Sequence, residues 1–111
     1  MKTGAIILVP FPFSELTNIK VHPAVVIGLT KDKYADIIVC AISSVIPEKQ
    51  NQNEILLKPN YVNNLRVESI IKIDRIVTLK KESKIADLGK LFSEELILFR
   101  KKFCDLISTD I

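Results

Sequence analysis

The sequence predicts a mainly β (α+β) fold, a small and strongly bent β-barrel with one C-terminal helix. Five or six short apolar segments of strand length are separated by turn-forming residues. Apolar residues at helical spacing occur only near the end of the chain, so alternating βαβ units are not expected. With 111 residues and 48% hydrophobic content, the chain fits one compact domain over residues 1–111.

The first two strands are predicted from apolar runs near prolines. Residues 6–9 form a short apolar strand, and Pro10 and Pro12 should end it because proline cannot donate a ladder hydrogen bond. Residues 14–19 are polar and predict a loop. Pro23 precedes three β-branched residues and should open the second strand.

The third strand is predicted at residues 37–42, a continuous apolar run typical of a central strand that is covered on both faces. Its end delivers Ser43 and Ser44. Residues 47–53 are polar without hydrophobic periodicity, so they should form an exposed, mobile loop of the kind that often borders sites.

Two more strands and a helix complete the prediction. Residues 55–57 and 69–79 are the strands, and a bend at Asp74 or a second hairpin arm would explain the length of the latter. Ser93 is the expected N-cap of the helix. The predicted core-facing stripe of the helix consists of Leu96, Phe99, Phe103, Leu106 and Ile107.

Composition excludes several classes of protein. The net charge of +3 permits a polyanionic partner, but acidic and basic residues are mixed along the chain. Cys40 and Cys104 are predicted to be buried thiols, which suits a reducing cytoplasm. No apolar run approaches the roughly 20 residues of a membrane span, and Pro10 interrupts the N-terminal run before signal-peptide length. We therefore expect a cytoplasmic protein without membrane contact.

The chain also lacks the residues that common cofactors require. One histidine and two distant cysteines do not form a zinc motif, and three glycines do not form a phosphate-binding loop. A G-x-S-x-G nucleophile elbow is absent as well. We expect no metal and no cofactor.

Four motifs, in order, resemble the MazF/PemK family of bacterial toxin ribonucleases. They are the runs Val9-Pro10-Phe11-Pro12-Phe13 with Lys20-Val21-His22-Pro23-Ala24, Val39-Cys40-Ala41-Ile42-Ser43-Ser44, residues 69–79, and Gly89-Lys90-Leu91 with the Ser93-Glu94-Glu95-Leu96 that follows. The resemblance implies a barrel of the Src-homology-three, PemK/CcdB type. It further implies a homodimer that cuts single-stranded RNA without metal and is silenced by a cognate antitoxin.

The resemblance also suggests site residues. His22 stands where the family has a catalytic arginine, and Ser43 matches its active-site threonine or serine. The predicted substrate-binding residues are Lys20, Phe13, Ser14, Ser44 and Arg75. Ala5 and Val77 depart from the family, which commonly has aspartate and arginine there. Phe11 and Phe13 would stack on bases or pack under the loop or in a dimer interface.

Two questions stay open at the level of sequence. As a cation, His22 would support activity that falls as pH rises through about 6.5, whereas as a general base it would support activity that rises. The permanent charge in the family and the nearby Lys20 favour the cation. The alternative function is a catalytically degenerate binding module for RNA, an antitoxin or a protein target such as gyrase.

Overall fold

The computed structural model describes residues 1–12 and 19–108. In these residues, six antiparallel strands form one strongly curled half-barrel sheet, and a helix follows them. The strands are β1 (Ala5–Pro12), β2 (Ile19–Leu29), β3 (Ile37–Ser43), β4 (Glu54–Leu57), β5 (Ser69–Leu79) and β6 (Ala86–Lys90), and the helix is α1 (Ser93–Ile107). The order across the sheet is β4-β5-β3-β2-β1-β6. The predicted mainly β, bent-barrel fold with a C-terminal helix is confirmed.

Strand β1 continues through both prolines, so the prediction that it ends at Val9 was wrong. The carbonyl of Leu8 accepts a hydrogen bond from the Ile85 N–H, on the side of β1 where β6 lies. Backbone groups two residues apart in a strand point to the same side, so the backbone nitrogen of Pro10 also faces that side. Strand β6 pairs with β1 only as far as Leu8. The missing N–H of Pro10 therefore faces an edge where no donor is needed.

Strand β2 begins four residues before Pro23, earlier than the sequence predicted. Pro23 pairs with Leu8 of β1, and pairing with β3 starts only at Ala24. In an antiparallel pair without mutual hydrogen bonds, the backbone N and C=O groups of both residues point away from the partner strand. Leu8 and Pro23 form such a pair, so the backbone nitrogen of Pro23 points away from β1, to the side where pairing with β3 has not yet begun. The strand thus tolerates proline in its interior.

Strand β5 bends at a bulge, as the sequence predicted for Asp74. Ala41 of β3 pairs with Lys72, whereas the neighbouring Cys40 pairs with Ile76. Residues 73–75 thus have no counterpart on β3. A bulge of this kind bends the strand and increases its twist, which helps the sheet to curl.

The C-terminal region differs from the sequence prediction in three ways. Strand β6 was not predicted, because its five residues carry no clear apolar alternation. The N-cap is Phe92 rather than Ser93, and the Glu95 carboxylate accepts the Phe92 N–H at 2.7 Å. Ile107 is 70% exposed and does not belong to the core-facing stripe, whereas the neighbouring Leu106 packs against the core. Phe99 is buried as predicted.

The sheet is buried on both faces. The helix face carries the cluster that packs against α1; its members on the first three strands are Ile6, Val25, Cys40 and Ile42, and Phe99 joins it from the helix. The opposite face carries a second cluster, which includes Ile7, Val9, Phe11, Ala24, Val26, Val39 and Ala41. Burial of β3 on both faces confirms the prediction for a central strand.

The two cysteines differ. Cys40 is buried as predicted, and desolvation raises the pKa of its thiol to about 12. Cys104 is exposed on α1, so the prediction that it is buried was wrong. Within the described ranges, no helix is both long enough and apolar enough to cross a bilayer.

Candidate active site

A group of polar side chains lies where β2 begins and β3 ends. In the pairing of β1 with β2, Lys20 stands opposite Phe11, and His22 stands opposite Val9. Directly opposed residues of an antiparallel pair share one face of the sheet. Lys20 and His22 therefore lie on the opposite face, at its polar end.

Ser43 belongs to the same group. It follows Ala41 by two residues, so its side chain lies on the same face as that of Ala41. Extending the Ala24–Ala41 pairing by two residues places His22 beside Ser43. The Ser43 Oγ accepts a hydrogen bond from the Val45 N–H at 3.1 Å, which leaves the hydroxyl proton available for donation. The fold thus brings together Lys20, His22 and Ser43, which we call the strand-end group.

The pKa of His22 is lowered from its ordinary value. The larger cause is desolvation, because the ring is half-buried and its Nε2 atom is inaccessible to solvent. The second cause is repulsion by the positive charge of Lys20. Both effects disfavour the imidazolium, so His22 is mainly neutral near pH 7.

A cavity of about 490 Å³ adjoins the same end of the sheet on its helix face. Its apolar wall includes Pro23 and Ile42, and its polar groups come from Ser44, Ser69, Asn64 and Arg66. His22 lines the cavity as well. The strand register nevertheless places the His22 side chain on the opposite face, with Lys20 and Ser43.

The other predicted site residues have different positions. Ser44 lines the cavity, and its role in substrate binding stays a prediction. Arg75 is exposed in the β5 bulge and does not line the cavity. Phe13 and Ser14 lie outside the described residues. Phe11 is only 4% exposed and packs in the core, so it is not available to stack on a base.

Arg66 and Asn64 were missed by the sequence prediction. They lie in the connection between β4 and β5, residues 58–68, which has no hydrophobic periodicity to draw attention. The available signal was the group of asparagines at positions 60, 63 and 64. Asparagine side chains often hydrogen-bond nearby backbone and hold a loop in shape.

The asparagines fix this connection in place. Asn63 is fully buried; its Oδ1 accepts the backbone N–H groups of Asn60 and Leu65 at 3.1 and 2.9 Å, and its Nδ2 donates to the Lys58 carbonyl at 2.9 Å. Asn64 has a φ of 55°, in the left-handed region that asparagine tolerates. We call residues 58–68 the asparagine loop.

Groups of three or more His, Cys, Asp or Glu side chains with the proximity needed to hold a metal ion do not occur among residues 1–12 and 19–108. The strand-end group itself offers one imidazole of lowered pKa, one hydroxyl and one cation.

The fold is similar to that of several solved toxins. It superposes on the Mycobacterium tuberculosis toxin MazF-mt6 with a TM-score of 0.69 at 13% identity, covering 96% of this chain and 99% of that one. MazF from Deinococcus radiodurans gives 0.67 at 19% identity, with 96% and 94% covered. A mycobacterial endoribonuclease solved in complex with its cognate antitoxin gives 0.71 at 12% identity, with 98% and 96% covered. At these identities the likeness defines the fold.

The sequence itself defines the family. Residues 2–107 match the family described as PemK-like, MazF-like toxin of type II toxin–antitoxin system. The chain belongs to the PemK/MazF toxin family, as the four motifs indicated. A search of curated proteins found no match to it.

Proposed function

We propose that this protein is an endoribonuclease toxin that cuts single-stranded RNA by attack of the ribose 2′-hydroxyl. The observation that carries the proposal is the strand-end group: one imidazole of lowered pKa, one hydroxyl and one cation on one face of a PemK/MazF fold. Those are the groups that metal-free cleavage needs.

His22 is the general base in this proposal. The lowered pKa keeps the imidazole neutral, which favours the base over the cation role that the sequence alone favoured. It takes the proton from the 2′-hydroxyl, O2′ forms a bond to phosphorus, and the bond from phosphorus to O5′ breaks. The imidazolium then returns a proton to the leaving O5′. The products carry a 2′,3′-cyclic phosphate and a 5′-hydroxyl.

Ser43 and Lys20 stabilise the charge that develops on the phosphate. The Ser43 hydroxyl donates to a non-bridging oxygen, while Lys20 adds positive charge beside His22. Because DNA lacks the 2′-hydroxyl nucleophile, the mechanism acts on RNA alone.

The proposal includes two protein partners. A homodimer would place two copies of the β1–β2 region along one groove, long enough for several nucleotides. A cognate antitoxin would occupy that groove with an acidic segment that folds on binding. Two of the similar structures, one mycobacterial and one from Deinococcus radiodurans, are toxins in complex with antitoxins. Light scattering should give a dimer at micromolar concentration.

The test is cleavage of a single-stranded RNA and of the DNA of the same sequence, each with and without EDTA. We expect RNA alone to be cut, with or without chelator, and the new ends to be cyclic phosphate and 5′-hydroxyl. Ser43→Ala should bind RNA as before and cut it about tenfold more slowly or worse, because a donor to the transition state is lost. Ser83→Ala, in the turn Lys81–Ser83 before β6, is the matched control.

The outcome also separates the alternative function. A protein that binds RNA or antitoxin but leaves RNA intact would be the degenerate binding module. Cleavage that EDTA abolishes, or equal cutting of DNA, would contradict the mechanism.

A further inference from the structure

The asparagine loop carries an aromatic side chain that the proposed mechanism does not use. Tyr61 is 86% exposed. Beside it, a second cavity of about 610 Å³ lies where the start of β1, the end of β6 and the start of α1 meet. Resting on the RNA substrate proposed above, we propose that Tyr61, Lys2 and Lys90 form a second binding site for single-stranded RNA, away from the strand-end group. We call these three residues the Tyr61 patch.

The first observation is the open ring of Tyr61. Its centroid lies 6.4 Å from that of Phe92, and the two ring planes meet at 77°, an edge contact. Such a contact covers little of the ring, so the exposed tyrosine keeps a face open for stacking. Phe92 lines the second cavity, which places Tyr61 at its rim. Exposed aromatic rings beside cations are the platforms on which single-stranded nucleic acids stack their bases, whatever the base.

The second observation is the charge at the cavity. Its ionisable lining residues are Lys2 and Lys90, and neither forms an ion pair within the part of the chain that the structure describes. The nearest acids along the chain, Glu94 and Glu95, do not line the cavity, and the Glu95 carboxylate accepts the Phe92 N–H. The two ammonium groups are therefore available to phosphates that flank a stacked base.

The third observation is that the patch is built on fixed backbone. The Lys90 N–H donates to the Val62 carbonyl at 3.1 Å, which ties β6 to the asparagine loop. On the other side of Tyr61, the Asn60 Oδ1 accepts the Val62 N–H at 2.9 Å. A ring on a fixed turn loses little backbone freedom when a base stacks on it, and such preorganisation favours binding.

The strand register relates the patch to the strand-end group. Lys90 stands opposite Ala5, and Lys20 stands opposite Phe11. Ala5 and Phe11 share one face of β1, so Lys90 lies on the same face of the sheet as the strand-end group. Six residues of β1 separate the two positions, about 20 Å. With stacked bases at about 3.4 Å each, an RNA needs at least about six nucleotides to reach both.

The experiment compares RNA of two lengths. Binding is measured by fluorescence anisotropy with labelled 2′-O-methyl RNA, whose blocked 2′ oxygens prevent cleavage. One RNA has about 20 nucleotides and spans both positions, and the other has about four and does not. The variants are Tyr61→Leu, Tyr61→Phe and the double variant Lys2→Gln/Lys90→Gln.

Matched controls lie elsewhere on the surface. Tyr34→Leu removes a tyrosine that is 57% exposed between β2 and β3. The double variant Lys31→Gln/Lys101→Gln makes the same charge change at two exposed lysines that do not line the cavity. The chain has two tyrosines and no tryptophan. In Tyr34→Leu the intrinsic emission therefore comes from Tyr61 alone, and a base stacked on the ring should quench it.

We expect Tyr61→Leu to weaken binding of the long RNA about tenfold, the loss of one stacked base, and to leave binding of the short RNA unchanged. Tyr61→Phe should bind as the wild type does, because it keeps the ring. Lys2→Gln/Lys90→Gln should lower the slope of log Kd against log salt by about 1.4 for the long RNA, since two phosphate contacts are lost. Both control variants should bind the long RNA normally, and the long RNA should quench Tyr61.

Several results would overturn the inference. Equal binding of the long RNA by Tyr61→Leu and Tyr34→Leu, without quenching, would show that RNA does not use the patch, and would leave it to a protein partner while RNA cleavage by the wild type stands. Equal losses for both RNA lengths would also contradict a separate site. If Tyr61→Leu does not fold, absence of quenching in Tyr34→Leu decides against stacking. A wild type that binds RNA through the patch but cuts none would contradict the proposed function alone, and one that binds no RNA would overturn both.

Discussion

Two connections of similar length border the cavity, and they are built in opposite ways. Residues 44–53, between β3 and β4, are largely exposed, with Val45 at 76%. The asparagine loop carries a polar side chain, Asn63, that is fully buried. One connection is therefore held by a side chain in the protein interior, while the side chains of the other lie mostly at the surface.

The hydrogen bonds explain the contrast. In residues 44–53, Asn51 accepts the Asn53 N–H at 2.8 Å, and the bonds to distant segments lie at the end of the connection, where the Gln52 carbonyl accepts Lys102 Nζ at 2.8 Å and the Asn53 carbonyl accepts the Ile73 N–H at 2.9 Å. The asparagine loop is tied to a distant strand as well, since the Lys90 N–H donates to the Val62 carbonyl at 3.1 Å. A connection held by a buried side chain is suited to keep its polar groups fixed at the cavity, and one with exposed side chains is suited to adapt to a bound molecule.

The largest expected effect tests the contact between β6 and the asparagine loop. A Cβ atom at Gly89 would lie 2.1 Å from the Val62 carbonyl oxygen and 3.0 Å from backbone atoms of Asn63. Gly89→Ala should therefore displace the loop and lower the free energy of unfolding by about 4 kcal/mol or more. Urea denaturation measures it.

Gly28→Ala is the matched control, because a Cβ there meets nothing within 4 Å. It should change the free energy of unfolding by no more than about 1 kcal/mol. Equal stability of the two variants would show that β6 does not constrain the loop.

The next effect compares the two connections directly. Asn63→Ala removes the acceptor of the buried Leu65 N–H and of the partly buried Asn60 N–H, together with one donor to the Lys58 carbonyl, and should lower the free energy of unfolding by about 3 kcal/mol. Asn51→Ala removes one acceptor at an exposed site and should cost about 0.5 kcal/mol. Similar losses in the two variants would contradict the contrast between the connections.

The smallest effect concerns His22, which belongs to neither connection. As a general base it must be neutral, so activity should fall as pH drops through its pKa, which lies below 6.5. Lys20→Gln removes the repulsion that disfavours the imidazolium, so the pKa should rise and the acid limb of the pH profile should move to higher pH.

The pKa is measurable by NMR without ambiguity, because the chain has one histidine. Lys101→Gln, an exposed lysine on α1, should leave it in place. Asn63→Ala should not move it either, if the strand-end group is independent of the asparagine loop. Activity that falls with rising pH would instead support the cation role of His22.

The sequence by itself determined the elements with strong local signals. A continuous apolar run identified β3, an alternating pattern identified the long strand β5 with its bend, and helical spacing identified α1. Periodicity identified Phe99 as a core residue of that helix. The ordered motifs indicated the PemK/MazF family, and with it the bent barrel. These features are visible along the chain because they depend on neighbours within a few residues.

Tertiary pairing decided the rest. Proline interrupts a strand where its nitrogen faces a partner strand. The nitrogen of Pro10 faces a side without a partner, so β1 continues past it. The short strand β6 is defined by its pairing with β1 rather than by a local pattern. Arg66 became a site residue because the buried Asn63 and the close approach of Gly89 fold a distant segment against the end of β2. Contacts between residues far apart in sequence leave no periodic signal, so only the assembled sheet shows that His22 and Ser43 lie side by side on one face.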